Sequence, residues 1–155
     1  MLFAMQPAQA GLIFDDSLLN QEILGGKLFV AEDGDVTATF LGSDASYLNT
    51  LYLISPSETF IFDKNSGSPS DESPDFIALG SFDAGTELLF RLDVDVQHDE
   101  YIDYKFHTGD GSNNPDSLAH ARAVTSLVDG IYVTEVGFED LFGEAIWITM
   151  ISCLV

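Results

Sequence analysis

Residues 107–120 place Asp110, Ser112, Asn113, Asn114 and Asp116 on one tight loop, bounded by His107 and His120. Hard oxygen donors gathered on a chain that can wrap an ion are what calcium requires, since it takes about six to eight oxygens from carboxylates, amides and carbonyls. The spacing is not that of an EF-hand. On composition alone, the commoner use of such residues is a polar turn in which Asn and Asp bond their own backbone. Glu139 and Asp140, in Gly137-Phe138-Glu139-Asp140-Leu141, are adjacent acids at the end of an apolar stretch. Neighbouring side chains on a strand point to opposite faces, so one of the two can meet an ion while the other faces water or caps the next turn. The candidate metal ligands are therefore Asp110, Asn114, Asp116, Glu139 and Asp140, with Ca2+ as the expected ion.

Other chemistries find less support. Glu32, Asp33 and Asp35 form one further acidic patch, and Asp93, Asp95, Asp99 and Glu100 another. Both are read as solvated faces, because like charges on one face repel unless water or a cation screens them. His98, His107 and His120 show no i, i+4 pair and no Cys pair accompanies them, so zinc is disfavoured. His120 reads as a packed or hydrogen-bonded residue. No Gly-x-Ser-x-Gly elbow occurs, and the single cysteine, Cys153, lies near the end, so no catalytic residue is assigned. Paired carboxylates for sugar hydrolysis stay open, but acids are too abundant here to single out a pair.

The whole chain has 155 residues, with 5 Lys+Arg against 26 Asp+Glu and a formal charge of −21. Phosphate neutralisation needs Lys and Arg, so nucleic acid and anionic membranes are poor partners. Cations, neutral molecules such as sugars, and basic surfaces are better ones. A salty habitat explains the acidity equally well without any ligand. Hydrophobic residues make up 46%, enough to build a core, and no apolar run reaches the ~20 residues of a membrane-spanning helix. Residues 1–10 end in Ala8-Gln9-Ala10, the small-x-small form of a signal-peptidase site, and read as a signal-peptide remnant. A secreted or cell-surface location follows.

The elements that must position these residues read as strands. In 86–96, Leu88, Phe90, Leu92, Val94 and Val96 alternate with Glu87, Leu89, Arg91, Asp93 and Asp95, the period of a half-buried strand. Shorter runs follow at 27–31, 36–41, 48–54, 59–62, 76–79, 101–107, 119–127 and 131–138. Asp129-Gly130 between two of them predicts a tight hairpin. Only 16–24 has a helical pattern, capped by Asp16 or Ser17 and ended by Gly25-Gly26. Residues 66–75 form a polar loop. The expectation is an all-β chain, a two-sheet sandwich of jelly-roll type with at most one short N-terminal helix, forming a single domain over 11–143.

Gly85-Thr86-Glu87-Leu88-Leu89-Phe90-Arg91-Leu92, His107-Thr108-Gly109, Asn114-Pro115-Asp116, Ala119-His120-Ala121 and Val136-Gly137-Phe138-Glu139-Asp140-Leu141 resemble, in order and spacing, an exported bacterial family called domain of unknown function 4114. The resemblance covers roughly residues 80–142. It implies a secreted or surface β domain and no transferable enzymatic activity. In that family the last motif continues through glycines to an acidic Asp-x-Asp-Tyr-Asn-Asp stretch. Here residues 144–155 are apolar instead. Trp and Met codons both end in G and Ile codons begin with AT. An alternative reading frame therefore places aspartate across Trp147/Ile148 and Met150/Ile151, and the intervening boundaries permit Tyr and Asn. We read 144–155 as a frame-shifted tail that weakens a calcium site and still forms a last strand. At a sheet edge, such a tail would promote homo-oligomers. The functional expectation is a non-catalytic binding or adhesion module, calcium-stabilised and with carbohydrate as a plausible ligand. The alternatives are a glycan-acting hydrolase and a ligand-free spacer.

Overall fold

The computed structural model describes residues 12–13, 18–43, 47–63, 77–97, 101–143 and 149–154. Its strands are β1 (Leu12–Ile13), β2 (Glu22–Leu24), β3 (Leu28–Val30), β4 (Gly34–Ser43), β5 (Leu48–Ser55), β6 (Thr59–Asp63), β7 (Ile77–Phe82), β8 (Glu87–Asp95), β9 (Tyr104–His107), β10 (Ala121–Val128), β11 (Ile131–Phe138) and β12 (Thr149–Leu154). They form two six-stranded sheets. The first runs β1-β3-β8-β5-β6, with β9 also paired to β8; the second runs β2-β10-β11-β12-β4-β7. Every pairing is antiparallel. The chain is an all-β sandwich. Among the described residues no helix is long and apolar enough to cross a membrane.

Period two decides which side chains enter the core. Leu88, Phe90, Leu92 and Val94 of β8 are buried, and the β5–β8 register sets Leu51 opposite Leu92 and Leu53 opposite Phe90. Phe106 of β9 sits opposite Leu92 on the other side. Val36, Ala38, Leu79, Ala121, Ala123, Val136 and Phe138 come from the second sheet and join the same cluster. Burying these apolar faces against each other is the main drive to fold. The Asp129-Gly130 hairpin forms as expected between β10 and β11, with φ of 52° and 82°, the double left-handed geometry of a primed turn.

Three expectations need correction. Residues 22–24 are the strand β2, not helix: Arg122–Val124 of β10 offer an unpaired edge, and Glu22 closes it with an ion pair to Arg122 at 2.8 Å. Residues 16 and 17 of the expected helix lie outside the described residues. Asp93 and Asp95 are not solvated, at 6% and 2% exposure. Arg91 grips Asp93 at 2.6 and 3.0 Å, a charge-assisted fork that allows a carboxylate to be buried. The tail strand β12 is not an edge strand. It lies between β11 and β4 with both of its backbone edges paired, so it offers no free edge to a second copy. The signal-peptide reading of 1–10, the loop at 66–75, and residues 144–148 and 155 lie outside the described residues. The acidic turn of Glu32, Asp33 and Asp35 is exposed as expected, with Asp33 Oδ1 accepting from Ala84 N at 2.7 Å.

Candidate functional site

The loop between β9 and β10 is built on its own polar groups. Asp110 caps the short 3-10 turn Gly111–Asn113, its Oδ1 accepting from Ser112 N at 2.8 Å. Hydrogen bonds from the Ser112 side chain and backbone hold the Asp110 carboxyl below its ordinary range. Asn114 is buried and staples both ends of the loop. Its Oδ1 accepts from His107 N and its Nδ2 donates to Leu118 O, each at 2.7 Å. Gly111 is required by close approach: a Cβ there would lie 2.7 Å from Ser117 O and 2.9 Å from Leu118 C.

Asp116 ties this loop to the chain beyond β11. Its Oδ2 accepts from His120 Nε2 and from Gly143 N, both at 2.8 Å, and its Oδ1 accepts from Leu118 N. Burial opposes its ionisation, but the Gly143, His120 and Leu118 donors outweigh it and hold the carboxyl below the usual range. His120 is fully buried and stacks on Phe106 at 3.7 Å. Its Nδ1 is 3.0 Å from the Glu139 carbonyl oxygen, so both ring nitrogens meet oxygen neighbours. His120 is thus the packed residue expected from sequence.

Glu139 and Asp140 directly follow β11 and are 0% and 1% exposed. Their backbone is held by Glu139 N donating to His120 O. Glu139 Oε1 accepts from Leu141 N at 3.0 Å, while buried Oε2 has no hydrogen-bond partner. Burial pushes the Glu139 carboxyl above the usual carboxylate range; the Leu141 N–H opposes this and the charge of Asp140 adds to it. Asp140 Oδ2 accepts from Asn49 Nδ2 at 2.8 Å, and Asn49 Oδ1 is a second buried oxygen without a partner.

Asn49 was not among the residues singled out from sequence. Its signal was present: in β5 it shares the inward register of Leu51 and Leu53, where an apolar side chain belongs. The structure therefore sorts the five expected ligands. Asp140 joins Asn49 across the two sheets, with Glu139 the residue before it. Asp116 reaches Glu139 only through His120. Asp110 is exposed, and both ends of the Asn114 side chain are committed to backbone. Among the described residues no three His, Cys, Asp or Glu side chains converge on a metal position. An unpartnered buried oxygen costs about 1–3 kcal/mol, a cost that a cation or a water at either oxygen would relieve.

No family model, curated protein or solved structure matches the chain.

Proposed function

We propose that this chain is a non-catalytic, exported binding or adhesion module, a sandwich of jelly-roll type whose two sheets are clasped by calcium. The observations that carry this reading are two buried, unpartnered oxygens, Glu139 Oε2 on the residue before Asp140 and Asn49 Oδ1 on the amide that binds Asp140. Glu139, Asp140 and Asn49 supply the protein oxygens, and water completes the shell, as calcium's flexible coordination allows. Asp110, Asn114 and Asp116 serve as fastenings of the neighbouring loop rather than as ligands. Burial of both acids supports a non-catalytic role, because a glycosidic oxygen must reach a catalytic carboxyl and these two are shut off from solvent. The likeness to the exported family described above agrees with a surface location.

Thermal melts with chelator and with calcium, alongside calorimetric titration, test the proposal. Binding to the folded state alone raises Tm with rising calcium. Magnesium should act weakly, since it demands near-octahedral geometry and dehydrates reluctantly. An unchanged Tm and no heat of binding would remove calcium from the account.

A further inference from the structure

After β11 the chain climbs quickly from the core to the surface. Glu139 and Asp140 are fully buried, Leu141 is half-buried, and Phe142 and Gly143 are exposed. The exposed part is fastened at three points. Leu141 N donates to Glu139 Oε1 at 3.0 Å. The Phe142 ring meets Tyr104 at 4.9 Å between centroids. Gly143 N donates to Asp116 Oδ2 at 2.8 Å, and the same oxygen is held by buried His120. Two hydrogen bonds from surface backbone and one ring contact are the kind of hold that opens locally without global unfolding. The first fastening also links the surface to the buried acids. When Leu141 lifts, Glu139 Oε1 loses its donor and must take water instead, so opening the segment and wetting that carboxyl are one event.

We propose that residues 139–143 are a strap latched by Asp116, and that Glu139 and Asp140 exchange water and calcium through its opening. The calcium half of this rests on the binding-module reading above; the latch does not. Acids buried this completely offer no direct path to an ion from solvent, so some covering segment must move first. The strap is the segment that begins at those acids and ends at the surface. Asp116 is a positioning residue: it touches the strap at Gly143 and none of the proposed ligands directly, and it reaches Glu139 through His120. Asp116→Asn keeps the side-chain shape but removes the charge that strengthens the bond to Gly143. Phe142→Ala loosens the strap at its other fastening, with an exposed side chain whose loss leaves the core intact. A latch multiplies entry and exit by the same opening constant, so it sets the rates of exchange and leaves the equilibrium affinity nearly unchanged.

Two measurements on the full chain test this. The first is amide hydrogen exchange in chelator, which needs no ion. Leu141 and Gly143 amides should be protected in the unmodified chain. Asp116→Asn and Phe142→Ala should each speed their exchange at least about tenfold, while the amides of Leu92 and Val94 in β8 stay within about twofold. A variant that merely destabilised the whole fold would speed both groups alike. The second is stopped-flow release of calcium into a fluorescent chelator, with affinity from calorimetry. Release should be independent of chelator concentration and at least about tenfold faster in both variants, with Kd changed less than about twofold. Protected amides that the variants speed, with no heat of calcium binding, leave the latch standing and remove calcium. Calcium binding with release unchanged in both variants does the reverse. Unprotected Leu141 and Gly143 amides, or exchange that neither variant speeds, overturn the latch.

Discussion

Asn49 Nδ2 lies 2.8 Å from Asp140 Oδ2, and this bond joins β5 of one sheet to the segment that follows β11 in the other. Both residues are fully buried, so neither can fall back on water. Asn49→Ala should destabilise the chain by about 2–4 kcal/mol, because it strands a buried carboxylate. Replacing Asp140 by Ala as well should add less than its own single cost. A double-mutant cycle from urea denaturation in chelator measures this coupling.

Asn49→Asp separates a structural clasp from a cation site. It puts a second carboxylate against Asp140 without changing size. In chelator, Tm should fall through like-charge repulsion; in calcium, the melting shift should exceed that of the unmodified chain. A variant whose Tm falls equally with and without calcium would indicate a clasp that recruits no ion.

The calcium shift should divide the acids cleanly. Asp140→Asn and Glu139→Gln should abolish it. Asp110→Asn should leave it intact, since that carboxylate is exposed and caps Ser112. Asp116→Asn should lower Tm by weakening the His120 and Gly143 bonds, at a cost of about 1–3 kcal/mol, yet preserve the shift.

His107 should make stability fall on mild acidification. Burial lowers its imidazole below the ordinary 6.5, and the charge of Arg91, opposite it in the β8–β9 register, adds to this. The folded state therefore resists a proton that the unfolded chain accepts. Its contribution is present above about pH 6.5 and is lost as pH falls toward the depressed folded value. His107→Gln should flatten that part of the Tm profile between about pH 7.5 and 5.5 in chelator.

Much of this architecture was legible because period two survives in single strands. Leu88, Phe90, Leu92 and Val94 declare the inward face of β8 without help from any other segment. What stayed hidden depends on distant partners. Glu22–Leu24 is a strand only because β10 leaves an edge for it, and Asp93 is buried only because Arg91 reaches it. The acids of the site were visible as types, but their grouping was not. Asp110, Asn114 and Asp116 satisfy a loop's own backbone, the commoner use of such residues. Asn49, far off in sequence, is the one brought to Asp140.

Gly111 tests the loop by itself. A methyl group there would lie 2.7 Å from Ser117 O, and the obstacle is backbone rather than a movable side chain. Gly111→Ala should cost about 1–3 kcal/mol in urea denaturation. Gly130→Ala is the comparison: its Cβ meets nothing within 4 Å, but φ of +82° makes it strained, and a loss nearer 1 kcal/mol is expected.

The last strand should be indispensable to the second sheet. β12 pairs Phe138 with Thr149 on one side and Thr149 with Ser43 on the other, so it bridges β11 and β4. Without it that sheet divides into β2-β10-β11 and β4-β7, and both new edges lose their backbone partners. Ending the chain after Gly143 should therefore abolish cooperative unfolding, read as the loss of a sigmoidal urea transition. Restoring the alternative reading frame over 144–155 tests whether the strand or its side chains matter. A frame-restored chain that still pairs there should unfold cooperatively and, with carboxylates added near Glu139 and Asp140, show a larger calcium shift. If the frame-restored chain melts without cooperativity, the pairing needs the apolar residues present here, and the frame-shift reading of the tail fails with it.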